Sequence, residues 1–590
     1  MRIGSGSTSV RLVIAVVALC AATGSRPASA DWPQFGRAIS TAINAQQHAS
    51  IASDGADGAI ITWQDLRSSK INIFAQHVRA TGEVDAGWPA NGQALLTDSL
   101  AMATADGGQT SPVIVPDGAG GAIVAWQDLR SPVTETDIFA QHVLASGVVD
   151  PNWKSNGTAL CSIEGIQNNL TIASDGAGGA IVTWIDGRPG ANGTDIYAQH
   201  VLVSGQVDPR WPENGIPVCT ATGAQEFPTI VGDGAGGAVI TWHDLRRDPN
   251  NFDIFAQHVL ESGFVDRAWP VNGLAVSLAA GNQGFPTIAS DGANGAIIAW
   301  TDGRSGTEEH IFAQHVLGSG AVDPAWPVDG RAISDAGDRE TRPLIVSDGA
   351  GGAIVTWQGF TTLLNKLSMY AQHVTAAGIV DPAWPPAGKA LSVSEEQQTD
   401  AAIASDGAGG AIIAWVESFD IFAQHVLASG SLDSAYPATG RPVVNLPSGQ
   451  GDPAVVATRG SGAIVAWSDT RGGLGVDIYA MQVLAVDTVT GVPAPPAPGG
   501  FALRRPGPNP ARGSILLRFS MPHEAPVRLT IYDATGRRVR VLASGAQPAG
   551  DHAIAWDLRD EGGRTVGAAT YFARLEAEDR TFTEKLVTVK

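Results

Sequence analysis

The chain has 590 residues, with 71 Gly, 35 Pro, 16% charged residues and a formal net charge of −21. Such a chain is long enough for several domains, too apolar to be disordered and rich in turns. Residues 31–500 hold 20 Lys and Arg against 48 Asp and Glu, whereas 501–590 hold 14 against 10; an acidic body of that size repels nucleic acid and anionic lipid.

Arg2 and Arg11 precede the apolar run LVIAVVALCAA, and ASA at 28–30 supplies the small residues that a signal peptidase reads. This predicts cleavage between Ala30 and Asp31. Cys20 would permit lipidation, but the bulky Leu19 stands where such signals carry a small residue. The run is short for a membrane span, and no other segment approaches the ~20 apolar residues required. The mature chain is expected outside the cytoplasm or on the outer cell surface, with no membrane span.

From residue 31 to about 484 a single unit recurs. Its second segment carries Trp63, Trp126, Trp184, Trp242, Trp300, Trp357, Trp415 and Trp467, most of them 57 or 58 residues apart, which makes eight units. Each unit has four short apolar segments between Gly, Asp and Pro turns, exemplified at 286–334 by A (PTIAS), B (GAIIAW), C (IFAQHV) and D (WPVDGRAIS). Four short strands per unit at this period predict propeller blades, with an open β-solenoid as the alternative. The N-terminal DWPQFGRAIS is a D segment without A, B or C, and the last unit lacks D. The N-terminal strand is therefore expected to complete the eighth blade and remove two open sheet edges.

Segment C holds His77, His142, His200, His258, His315, His373 and His425, with Gln482 in the eighth unit. One imidazole per blade is a poor metal site, since zinc needs three or four ligands within about 2.0–2.3 Å of one point, so these are read as structural groups bonding to a neighbouring blade or turn. The recurring SDGAGG fits a tight A–B hairpin, and its single Asp is too few oxygens for calcium. The segment resembles the Asp-box of sialidase-like propellers in style, with different spacing. Cys161 and Cys219 occupy equivalent positions of adjacent units, too far apart for the Cα separation of about 7 Å that a disulfide tolerates.

The A–B turns and most C–D turns are nearly uniform, whereas the B–C and D–A connections differ widely, as in SPVTET at 131–136 and GFTTLLNKLSM at 359–369. Both variable sets emerge on one face of an antiparallel blade, and variable loops on a fixed scaffold mark a ligand face. That face also bears a recurring Asp-x-Arg: Asp65 and Arg67, Asp128 and Arg130, Asp186 and Arg188, Asp244 and Arg246, Asp302 and Arg304, Asp469 and Arg471. These are either a crown of charges for a polar ligand, a glycan or a surface protein, or salt bridges that end strand B. No catalytic, metal or cofactor-binding residue is predicted: no nucleophile elbow, phosphate loop or zinc helix motif occurs. A glycan-active hydrolase or lyase is the enzymatic alternative.

AVDTVTGVPAPPAPGG at 485–500 reads as a linker. Beyond it, PNPARGSILLRFSMP, LTIYDATGRRVRVL, AGDHAIAWDLRDEGGRTV and the terminal KLVTVK resemble the FlgD-type Ig-like domain of bacterial secreted proteins and are similar to the type IX secretion C-terminal sorting domain. Ala569 stands where that pattern usually has Gly. The resemblance implies a small β-sandwich over 501–590, export across the outer membrane and secretion machinery as a partner. The fold class expected is all-β, an eight-bladed propeller followed by this sandwich.

Overall fold

Gly and Pro punctuate the chain too often for helices, and the β-branched runs between them pair into strands. The computed structural model describes residues 32–588 apart from short stretches, the longest being 96–107, 484–501 and 504–514. The expected signal segment, its cleavage site at Ala30 and Asp31, and the linker at 485–500 lie outside the described residues. Among the described residues every regular element is a strand, and no helix is long and apolar enough to cross a membrane.

The sheet around Trp184 shows the plan. Gln167–Ser174, Ala180–Asp186, Asp195–Val201 and Ile216–Cys219 lie side by side in chain order, each antiparallel to the next. They correspond to A, B, C and D. The other units make sheets of the same order, and the fifth carries a further two-residue strand. We number the sheets one to eight by their B-strand tryptophans. Sheet eight takes Gln450–Thr458, Gly462–Asp469 and Asp477–Val483 from the end of the array and Arg37–Ser40 from its start, with Ala38 opposite Tyr479.

Successive A strands touch one another, and the last, Gln450–Thr458, touches the first, Gln46–Ser53. The apolar core follows the same circuit. Eight buried clusters are each shared by two successive sheets. One of them joins Ile464, Ala466 and Ile478 of sheet eight to Ala59, Ile61 and Trp63 of sheet one, with Ile39 of the N-terminal strand among them.

One glycine in each D segment is dictated by the tryptophan of strand B. At Gly92, φ is +95° and a Cβ would lie 2.5 Å from Cη2 of Trp63. Gly36, φ +84°, meets Trp467 in the same way at 2.3 Å. Thus the N-terminal strand makes the contact that belongs to its position in the repeat, although more than 400 residues separate the partners. The D-segment tryptophans tie sheet to sheet: the Trp88 indole N–H donates to the carbonyl of Ala145, 3.2 Å away, and that of Trp153 to Val203 at 3.0 Å.

Residues 502–503 and 515–588 form two further sheets. Ala502–Leu503, Ile515–Met521 and Gly550–Trp556 make one; Arg538–Gln547, Ala525–Asp533, Thr570–Ala577 and Arg580–Val587 make the other. Both contribute to one core around Phe519, Leu529, Trp556 and Leu575, separate from the eight clusters above.

Candidate functional site

The face of the A–B and C–D turns is closed by one repeated device. His258 stands on strand C with Nδ1 2.9 Å from Asp266 Oδ2 and Nε2 2.9 Å from Asp233 Oδ2. Asp266 belongs to the C–D turn and Asp233 to the A–B hairpin of the same sheet, so each histidine pins its own two turns together. The arrangement recurs at His77, His142, His200, His315, His373 and His425. Asp233 also accepts the amides of Ala235 and Gly237 through Oδ1, which shapes the hairpin. A carboxylate only accepts. Burial opposes charge on His77, His258 and His425, but hydrogen bonds to two carboxylates outweigh it and raise their pKa above the ordinary value. The same bonds outweigh burial at Asp54, Asp233 and Asp406, whose pKa falls. Among the described residues no group of His, Cys, Asp and Glu is arranged to hold a metal ion.

The Asp-x-Arg pairs sit at the opposite end of the sheets. In sheet four, buried Asp244 accepts the Trp242 indole N–H at 2.8 Å, the Arg246 amide at 2.8 Å and the Arg246 guanidinium through Nε at 2.8 Å and Nη2 at 2.6 Å. The guanidinium also donates to the Asn272 carbonyl at 2.8 Å and lies 3.8 Å above the Phe255 ring. Asp65 with Arg67, Asp128 with Arg130, Asp186 with Arg188, Asp302 with Arg304 and Asp469 with Arg471 form equivalent pairs, every Asp side chain fully buried. These groups brace the base of the B–C loop against strand C, and the guanidinium edges remain partly exposed. In sheets six and seven, where the motif is absent, Glu340 and Glu417 supply the carboxylate to Trp357 and Trp415. Glu340 does so from strand A; burial raises its pKa despite hydrogen bonds from Ser334 and His310. Cys161 and Cys219 are buried and free, each against the Asp-x-Arg pair of the following sheet.

Opposite the buried aspartates, near the start of strand C, a second aspartate often stands. Asp195 faces Asp186, and Asp253 faces Asp244. Burial and the neighbouring carboxylate push Asp195 up to about 6, and burial does the same for Asp253.

The residues that sequence reading missed lie at the inner edge of this same face. In every A strand two residues oppose the single B-strand tryptophan, a β-bulge, and the first of them has left-handed backbone. The eight are His48, Ser111, Asn169, Phe227, Phe285, Arg342, Asp400 and Asp452, with φ between 48° and 57°. All eight are exposed. Because the A strands touch in sequence, these side chains encircle the axis. Arg342 pairs with Asp400 of the next sheet at 3.3 Å, and Phe227 meets the ring of Phe285 edge-on at 5.5 Å.

Left-handed backbone suits Asn, Asp and His better than bulky side chains, where it is a genuine outlier. Phe227, Phe285 and Arg342 occupy consecutive sheets, so the conformational cost, about 1–3 kcal/mol for each such residue, is concentrated in one sector. Under the two phenylalanines lies His243, buried, 4.8 Å from the Phe227 ring and 4.2 Å from Phe252. Burial lowers its pKa. Its Nε2 approaches Glu226 at 3.4 Å, while Nδ1 is buried without a hydrogen-bond partner. Leaving such an atom unsatisfied costs about 1–3 kcal/mol.

Residues 511–580 match the FlgD Ig-like domain family. No curated protein matches the chain. Among solved structures, the α-L-arabinanase of Penicillium chrysogenum complexed with arabinobiose aligns over 76% of this chain and 98% of its own, with 10% identity and a TM-score of 0.33. The β-propeller domain of the Trilobed protease from Pyrococcus furiosus covers 68% of this chain and 96% of its own, at 8% identity and a TM-score of 0.37. Prolyl oligopeptidase B from Galerina marginata covers 73% of this chain and 55% of its own, at 9% identity and a TM-score of 0.39.

Proposed function

We propose that the chain is an eight-bladed β-propeller, exported and displayed outside the cell, that serves as a binding or adhesion scaffold for a polar ligand. The observation that carries this reading is the contrast within the repeat. The turn face repeats one charged device seven times, whereas the bulge position on the loop face carries six residue types over the eight sheets and, at Phe227, Phe285 and Arg342, exposed and conformationally costly side chains. Strain kept at an exposed position is a sign of function, and loops on a rigid scaffold are where recognition is built. The Asp-x-Arg pairs hold the loop bases in register, and the edges of Arg67, Arg130, Arg188, Arg246, Arg304 and Arg471 add contacts around the rim. The C-terminal region, similar to FlgD Ig-like domains, acts as a sorting module of the type IX kind and leaves ligand binding to the sheets before it.

Two measurements test the reading. The full chain is applied to an array carrying glycans and purified surface proteins, with product analysis on every hit; binding without turnover is expected, and cleaved product would identify a hydrolase or lyase instead. A chain ending near Gly499 is expressed in a host with the secretion machinery and is expected to accumulate in the periplasm. Its arrival at the cell surface would refute the sorting role.

A further inference from the structure

The exposed side chains around the axis are not equivalent. Phe227 and Phe285 present two aromatic rings, 42% and 52% exposed, at the mouth of the axis. Arg342 and Asp400 follow them in the circuit and Asn169 precedes them. The B–C hairpins of sheets four and six extend further than the seven-residue pairs of sheets two and three: Ala238–Asp248 with Asn251–Val259, and Ala353–Thr361 with Lys366–Val374. The aromatic pair therefore lies in a sector flanked by the two longest hairpins.

We propose that this sector binds one ring of a neutral saccharide, an assignment that rests on the reading of the loop face as a ligand face. A sugar ring has an apolar face of C–H groups and a rim of hydroxyls. Phe227 and Phe285 offer the apolar counterpart. The guanidinium of Arg342 and the carboxylate of Asp400 offer a donor fork and an acceptor beside it, which together match neighbouring hydroxyls. The excess of acidic residues over 31–500 disfavours a polyanionic glycan. Beneath the platform, His243 Nδ1 faces the backbone of Gly284, 3.7 Å from where a Cβ would stand. The other A strands carry a side chain at that position except for Gly451. A hydroxyl entering over Gly284 is the partner that this nitrogen lacks.

The test uses the full chain on immobilised cello-, xylo-, manno-, galacto- and chito-oligosaccharides, followed by calorimetric titration of the best binder. Phe227→Gly and Phe285→Gly are each expected to weaken binding about five- to tenfold. Their melting temperatures should equal or exceed that of the parent, because glycine adopts the left-handed conformation without strain. Phe285→Trp should retain affinity, and Val328→Ala, on an exposed turn outside the sector, should change nothing. If the parent binds a saccharide and both glycine variants bind it equally well, the sector is misassigned and the reading of the loop face stands. A parent that binds none of these saccharides overturns the ligand class, and the array of surface proteins then decides the wider reading.

Discussion

On the turn face, His77, His142, His200, His258, His315, His373 and His425 each hold two aspartates, whereas on the loop face six different residue types share one left-handed backbone position. The difference shows what kind of constraint enforces repetition. A buried imidazole between two carboxylates cannot lose one member without stranding a charge, so the three residues recur as a set. The bulge demands only a backbone conformation, and its exposed side chain is free to differ. Sheet eight fits this logic. Its C strand has Gln482 for His, its hairpin has lost the Asp, and Arg459 donates its guanidinium to the Gly55 carbonyl and its backbone amide to the Asp57 carboxylate.

Breaking the circuit itself should have the largest effect. Deleting residues 32–40 uncovers Trp467 and opens an edge on strand C of sheet eight, with a loss of about 3–5 kcal/mol expected from the buried apolar surface. In chemical denaturation the unfolding midpoint of the eight sheets should then fall correspondingly. An unchanged transition would mean that the N-terminal strand decorates sheet eight without closing anything.

Next comes the turn face. His258→Ala leaves Asp233 and Asp266 without their cation and should cost about 2–4 kcal/mol. His258→Gln, which copies sheet eight, should cost less. Equal losses would show that the imidazole fills space and that its charge is irrelevant.

The two faces also respond to pH in separable ways. The raised pKa of His77, His258 and His425 contributes stability that is complete below about pH 6.5 and lost as pH rises through the folded value. Asp85 and Asp208, lowered to about 2, contribute stability present above their ordinary range and lost as pH falls toward that value. On the loop face, Asp195 and Asp253 are raised to about 6, so their contribution declines between their ordinary range and pH 6. Urea midpoints should therefore peak at mildly acidic pH, about 4–5. Asp195→Asn should stabilise by about 1–2 kcal/mol at pH 7 and change little at pH 4. A stabilisation equal at both pH values would remove the charge from the explanation.

The smallest expected effect lies at the bulges. Asn169→Gly should raise stability by a few tenths of a kcal/mol, and Arg342→Gly by about 1 kcal/mol less the lost pair with Asp400. Differential scanning calorimetry on the two variants measures this directly. Destabilisation by both would show that the positions pack structurally and that their side chains are not held there for a ligand.

Much of this molecule is legible in one dimension because it repeats. The tryptophan spacing, the four apolar segments and the misplaced D segment locate the strands and pair Arg37–Ser40 with the last unit, since hydrophobic periodicity and turn chemistry act locally and were written eight times. The Asp and Gly of SDGAGG could be assigned to a hairpin for the same reason. What the aspartate does with its second oxygen could not, because His258 and Asp233 are 25 residues apart and meet only when strands A, B and C are paired. Glu340 likewise replaces the missing Asp of sheet six from a different strand, a substitution visible only across the A–B register. The bulge residues had a signal in the sequence, a variable position two residues after a nearly constant Gln. Their left-handed backbone, their exposure and the convergence of Phe227, Phe285, Arg342 and Asp400 are decided by the tertiary structure, because only the circuit of A strands brings positions nearly sixty residues apart to one axis.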